Sequence, residues 1–163
     1  MSELFTQLDC DGPAVSEHWR QIRDGHPSAI ALYERHYSCH HYKDGRVRKL
    51  FVGPGQKLVL LTTACDALFA WRKFIDDAIP KQEGVNCAVF RNEGPIKSSL
   101  LIIEAMDVAW GRWAGERLYT YVDTAKTRKK RDPGRCFRKA NWKPCGTTKG
   151  GLLILEALPK ENP

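Results

Sequence analysis

Short apolar runs that switch between the strand period and the helix period cover most of the chain. Residues 1–15 read as an irregular arm broken at Gly12-Pro13. Ser16 followed by Glu17-His18-Trp19-Arg20 predicts a short capped helix ending near Gly25. Pro27 suits the first turn of a second helix, with Ile30, Leu32, Tyr33 and Tyr37 as apolar positions. Lys43-Asp44-Gly45 is a turn signal. Beyond it, Lys49 to Val52 and Gln56 to Thr63 carry strand character on either side of Gly53-Pro54-Gly55. Leu58-Val59-Leu60-Leu61 is apolar on both faces, as an interior strand requires.

Ala64-Cys65-Asp66 turns the chain into Ala67–Phe74, which fits a strand or a short helix. Val85–Phe90 is a strand bounded by Gly84 and by Arg91-Asn92-Glu93-Gly94-Pro95. Ser98 and Ser99 precede Leu100–Trp113, the longest helical run, and Leu118–Val122 is a further strand. Pro133 opens a short helix, roughly Gly134 to Asn141. A hairpin around Lys149-Gly150-Gly151 closes the chain within Thr147–Leu158, with Leu152 to Leu155 as its apolar strand. Strands and helices do not alternate regularly, so the expectation is α+β and a doubly wound dinucleotide fold is not expected.

At 163 residues with 42% hydrophobic residues, the chain is expected to form one domain, residues 16–163, behind the arm of residues 1–15. No apolar run reaches the roughly 18 residues of a membrane span. The acidic, broken start MSELFTQLDCDG does not read as a secretory signal, so a cytoplasmic protein without a membrane partner is expected. Six scattered cysteines with no close pair argue against a disulfide scaffold and against structural zinc, and no metal set is assigned. The tempting cluster Cys39-His40-His41 lacks a matching distal pair.

The net charge of +7 is unevenly placed. Lys126 to Lys139 holds eight basic residues against Asp132 alone, and Arg35 to Lys57 holds six against Asp44, so the rest of the chain is net acidic. Concentrated positive charge fits a polyanion such as DNA, RNA or a phosphate-rich cofactor. A merely solvated basic loop is the plainer reading.

The order of elements resembles the GNAT acyltransferase superfamily, with Val85–Phe90 as its central strand and Leu118–Val122 as the neighbour that splays away from it. This resemblance implies a mixed, mostly antiparallel central sheet flanked by helices. It also implies an acetyl-CoA or related acyl-CoA site on the loop Arg91–Ser99, assigned to Arg91, Asn92, Gly94, Lys97, Ser98 and Ser99. Free amides at a helix start are a sound anion site. Phe137-Arg138-Lys139-Ala140-Asn141-Trp142 follows the superfamily's late-helix signature loosely, with Phe137 where many members carry a tyrosine.

A narrower resemblance rests on six segments in one order: Arg35-His36-Tyr37-Ser38, Phe51-Val52-Gly53-Pro54-Gly55, Phe90-Arg91-Asn92-Glu93-Gly94, Ser98-Ser99, Tyr119-Thr120-Tyr121-Val122-Asp123, and Pro133-Gly134-Arg135-Cys136-Phe137. Together they resemble the Mom group of phage DNA-modification proteins over about residues 28–158. The resemblance implies a phage or prophage enzyme that acylates or otherwise derivatises DNA bases, so that restriction enzymes fail to recognise them. The implied active positions are His36, Tyr37, Ser98 or Ser99, and Asp123. Arg135 stands where relatives often carry a tyrosine, and a guanidinium cannot act as that weak acid.

The residues themselves allow this chemistry. His36 could take a proton from an amine nucleophile, Tyr37 could donate to a leaving group or stack on a base, and Asp123 could orient the imidazole. Each also has a plain structural reading: a helix-end histidine satisfied by backbone, a half-buried ring, and a strand-end turn residue. Lys126, Arg128, Lys129, Lys130, Arg131 and Arg135 are assigned to the backbone of double-stranded or locally opened DNA. Trp110, Trp113 and Trp142 are either base-stacking partners or core. The other functions that fit are an N-acetyltransferase acting on small molecules or proteins, and a noncatalytic nucleic-acid-binding domain on a degenerate acyltransferase fold.

Overall fold

A computed structural model describes residues 12–74, 82–126 and 133–159. Seven strands form one sheet in the order β1-β2-β3-β4-β5-β7-β6. The strands are β1 (Trp19–Ile22), β2 (Gln56–Thr62), β3 (Ala67–Lys73), β4 (Val85–Asn92), β5 (Leu118–Val122), β6 (Lys143–Thr147) and β7 (Leu153–Ala157). Helix α1 (Pro27–Glu34) lies between β1 and β2, α2 (Ser98–Arg112) between β4 and β5, and α3 (Arg135–Lys139) between β5 and β6. The described chain is therefore α+β with a mostly antiparallel sheet.

Alternation along the interior strands divides the core into two layers. Leu58, Leu60, Phe69, Trp71, Val85 and Cys87 pack under α2 and α3, against Leu101, Ile102, Ala105 and Phe137. Val59, Leu61, Leu68, Ala70 and Val89 face the other way and meet Leu32 and Tyr33 of α1. Both faces of β2 and β3 are thus dry, which accounts for their nearly continuous apolar sequence. The tryptophans belong to this core and are not base-stacking platforms: Trp113 and Trp142 are buried and Trp110 packs against the same cluster. The indole N–H groups of Trp19, Trp71 and Trp110 donate to the carbonyls of Leu101, Ala105 and Glu116 at 2.8, 3.0 and 2.8 Å. Satisfying the donor removes the main cost of enclosing so large a ring.

Three sequence expectations are corrected. The helix expected from Ser16 is strand β1. Ser16 Oγ does accept from the Trp19 amide at 3.2 Å, as a cap would, but the chain then extends and pairs Trp19 with Thr62 and Ile22 with Val59. Burying Trp19 completely outweighs a weak local preference for helix. Lys49 to Val52 is not a strand, because the Asp24 carboxylate takes the Phe51 amide (3.0 Å) and the Val52 amide (3.3 Å) and so occupies donors a ladder would need. The closing hairpin starts at Lys143 and not at Thr147. Strand β6 is exposed throughout, contains Pro144 and bulges between Pro144 and Gly146, so it shows none of the alternation that marks a strand. Of the N-terminal arm, residues 1–11 lie outside the described residues.

One join in the sheet is unlike the rest. β4 and β5 run parallel and pair over three positions, Val85 with Leu118, Asn86 with Tyr119 and Cys87 with Thr120. Beyond Cys87 the two strands share no further pair: β4 stays on β3 as far as Asn92, and β5 stays on β7 as far as Val122. In the same stretch β4 bulges, with Ala88 as the extra residue between the pairs Trp71–Cys87 and Ala70–Val89. A bulge bends a strand and frees a residue from the ladder, here the ladder with β3 just where β5 leaves β4. No helix among the described residues is long and apolar enough to cross a membrane.

Candidate functional site

The gap between β4 and β5 opens into a cleft of about 700 Å³, within the range of small-ligand sites. His36, Tyr37 and Ser38 reach it from the turn after α1, Ser98 from the start of α2, and Asp123 and Lys126 from the end of β5. Arg91 and Asn92 line it from the end of β4, and Cys136 and Phe137 from α3. Segments far apart in sequence thus meet where the sheet parts.

The α1 turn is built by backbone bonds: the His36 amide donates to the Tyr33 carbonyl (2.9 Å) and the Cys39 amide to the His36 carbonyl (3.0 Å). The Ser38 amide donates to His36 Nδ1 at 3.1 Å, and Ser38 Oγ lies 2.7 Å from the same nitrogen. A backbone N–H can only donate, so the neutral ring carries its proton on Nε2. The imidazole also stacks on Tyr37, with centroids 4.4 Å apart.

Tyr37 is 39% exposed, yet its hydroxyl end sits in the cleft among Asp123, Cys87 and Cys136. Partial enclosure raises its pKa above the ordinary value; the nearby Asp123 amide favours the phenolate, and the Asp123 carboxylate opposes it. Tyr37 is therefore a neutral donor at physiological pH. The Asp123 carboxylate accepts from the amides of Ala125 and Lys126, both at 3.1 Å, and so shapes the turn that leaves β5.

The residues assigned to an acyl donor separate into two groups. Asn92 closes the loop before α2: its Nδ2 donates to the Ile96 carbonyl (2.6 Å) and to Ser98 Oγ (3.0 Å), while its Oδ1 accepts from the Gly94 amide (3.0 Å). Arg91 is committed to Glu93 at 2.6 Å. Gly94, Lys97 and Ser99 do not line the cleft. Gly94 lies against Asp66, whose carboxylate would be 2.3 Å from an added Cβ, and Ser99 is buried. The amides of Ser98 and Ser99, the first in α2, have no acceptor within the helix ladder.

Of the residues assigned to DNA, Lys126 is exposed at the cleft mouth and Arg135 is exposed on α3 without lining the cleft. Arg128, Lys129, Lys130 and Arg131 lie outside the described residues. Cys39 packs beside α1 while His40 lies against Tyr42, so the Cys39-His40-His41 cluster is not drawn together as ligands.

Sequence reasoning missed Asn86. It sits where the two strands are still paired, is 9% exposed, and lines the cleft with an Oδ1 that has no hydrogen-bond partner. Its neighbour Thr120 is satisfied, donating to the Cys87 carbonyl at 3.0 Å. A buried unpaired carbonyl costs about 1–3 kcal/mol, and a ligand N–H would remove that cost. The signal was available: Asn86 is the sole polar residue in the run Val85–Phe90. No family model, curated protein or solved structure matches the chain.

Proposed function

We propose that this chain is a GNAT-like group-transfer enzyme that acts on bases in DNA, in the manner of the Mom group. The observation that carries the reading is the parting of β4 and β5, a single parallel pair opening between the start of α2 and the Tyr37 turn. The strand order and the Ala88 bulge support it. So does the convergence of His36, Tyr37, Ser98 and Asp123 on one cleft. Basic residues concentrated around Lys126 and in the segment after α1 support a nucleic-acid acceptor over a neutral small molecule.

The donor side fits an acyl-CoA at the start of α2, where Ser98 lines the cleft and the first amides lie outside the helix ladder, although the loop offers one glycine and its amide is already taken. An acyl-CoA thioester, when bound, supplies the activated acyl group. The acceptor enters from the α1 side, where Asn86 Oδ1 accepts an N–H and Tyr37 donates to the departing sulfur or to the developing oxyanion. The amine's proton passes to Ser38 Oγ as the Ser38 hydroxyl proton moves to His36 Nδ1, so His36 acts as the base through Ser38 with its Nε2–H in place.

Nucleosides from the DNA of cells expressing the protein, analysed by mass spectrometry, test this. A new nucleoside with the wild type that is lost with Tyr37→Phe is the expected result. Unmodified DNA in cells holding folded wild-type protein would reject it, and tight acetyl-CoA binding without DNA binding would transfer the reading to a small-molecule acetyltransferase.

A further inference from the structure

Between Cys39 and Phe51 the chain leaves the body of the molecule and returns to it. Both ends are fixed beside α1: Cys39 packs on the core layer there, and Phe51 stacks on Tyr33 with centroids 5.1 Å apart. Arg48 closes the base of the loop, its guanidinium 4.9 Å from the Tyr33 ring and donating to the His40 carbonyl. At the tip, Arg46 and Arg48 both rest on Tyr42, at 4.8 and 4.7 Å from the ring centroid. With both arginines drawn onto one ring, the residue between them is left in solvent. That residue is Val47, 84% exposed, the most exposed of the large hydrophobics among the described residues.

An aliphatic side chain held out by two clamped cations is costly in water and gains nothing from the fold. Leu50, 57% exposed, adds apolar surface to the same loop, with Lys43 and Lys49 beside it. The loop continues directly from the His36–Ser38 turn that lines the cleft. We infer that Val47 is a wedge that enters a nucleic-acid duplex and parts a base step, with Lys43 and Lys49 holding the flanking phosphates while Arg46, paired with Asp44 at 2.6 Å, and Arg48 brace the tip. An enzyme working on a base must bring that base out of the stack, and an apolar plug stabilises the opened step. The inference rests on the reading of the chain as a DNA-acting enzyme, and it assigns duplex opening to a surface outside the cleft.

A duplex carrying 2-aminopurine, whose fluorescence rises when it unstacks, tests the wedge without any acyl donor. The full-length wild type should bind the duplex, read by anisotropy, and raise the fluorescence several-fold. Val47→Ser, at an exposed position and with an unchanged melting temperature, should bind within about threefold of wild type yet lose most of that rise. Both should bind the same sequence as a single strand equally. An equal rise with Val47→Ser overturns the wedge, as does a wild type that fails to bind the duplex at low salt. Binding to anionic vesicles in place of DNA also overturns it and makes the tip a membrane anchor. A new nucleoside in cellular DNA with no fluorescence rise removes the wedge alone, whereas a fluorescence rise without a new nucleoside removes the chemistry and leaves the wedge.

Discussion

Arg35 and Glu93 are joined by two hydrogen bonds, Nε to Oε2 at 2.7 Å and Nη2 to Oε1 at 2.8 Å. This pair ties the residue that ends α1 to the loop that leaves β4. The next two residues of the α1 turn are His36 and Tyr37, and the preceding residues of β4 form the opposite wall of the cleft. The pair therefore sets the width of the site. Arg91 adds a third bond to the same carboxylate.

Arg35, and after it Arg91, hold the Glu93 carboxyl down to about 2, below the ordinary carboxylate range. A depressed folded-state pKa means that this stabilisation is complete above about pH 4.5 and is lost as pH falls toward 2. Glu93→Gln should lower stability by about 1 kcal/mol at neutral pH, since both partners are partly solvated. Denaturant titrations should show the gap between the two proteins closing between those pH values. Nucleoside yield should fall about tenfold to a hundredfold, because a displaced turn misplaces Tyr37.

Tyr37→Phe should leave the melting temperature within a degree or two, since about 39% of the side chain is exposed and the ring is retained. Modified nucleoside should drop about a hundredfold or more if the hydroxyl is the proton donor. Its pKa is raised, so wild-type turnover should show no loss from Tyr37 ionisation below pH 10. A falling limb at pH 8 that vanishes in the phenylalanine variant would contradict the assignment.

Asn86→Leu separates stability from function. Removing an orphaned buried carbonyl should raise the melting temperature by about 2–4 °C, while activity falls at least tenfold. Lower stability with full activity would show that Asn86 serves the fold and not the ligand.

His18 joins β1 to α2 through Glu104: Nδ1 lies 2.5 Å from Oε2, and the His18 amide donates to Oε1 at 3.0 Å. The Glu104 carboxylate raises the His18 pKa above 6.5. For a raised pKa the stabilisation is complete below the unfolded value and disappears as pH rises through the folded one. Wild type should therefore exceed His18→Gln in stability at pH 6 and approach it by pH 9, as thermal melts across that range would record.

Strands β4 and β5 were readable because each carries an apolar run between clear breakers, and the β5 bounds agree with the sequence reading residue for residue. β1 and β6 were not, because an edge strand takes its conformation from the partner it meets. Ser16 and Glu17 speak for helix locally, and only the distant β2 decides otherwise. His36, Tyr37 and Asp123 were implied by the resemblance to the Mom group, and the fold brings all three to one cleft. The Arg35–Glu93 pair spans 58 residues and leaves no local trace, and the Asn86 orphan exists only once β4 is packed.

The short parallel join has a consequence for how the molecule comes together. Strands β1 to β4 come from residues 19–92, and β5, β7 and β6 from residues 118–157, each set pairing within itself in antiparallel ladders. Each assembly closes mainly local loops and can form quickly, whereas their union depends on three residue pairs and the helix laid across both. The cleft then belongs to the seam and to neither assembly, and it arises only at the last docking step. Two fragments cut in the 114–117 connection would each carry an intact ladder, and mixing them would restore the cleft at a rate set by concentration.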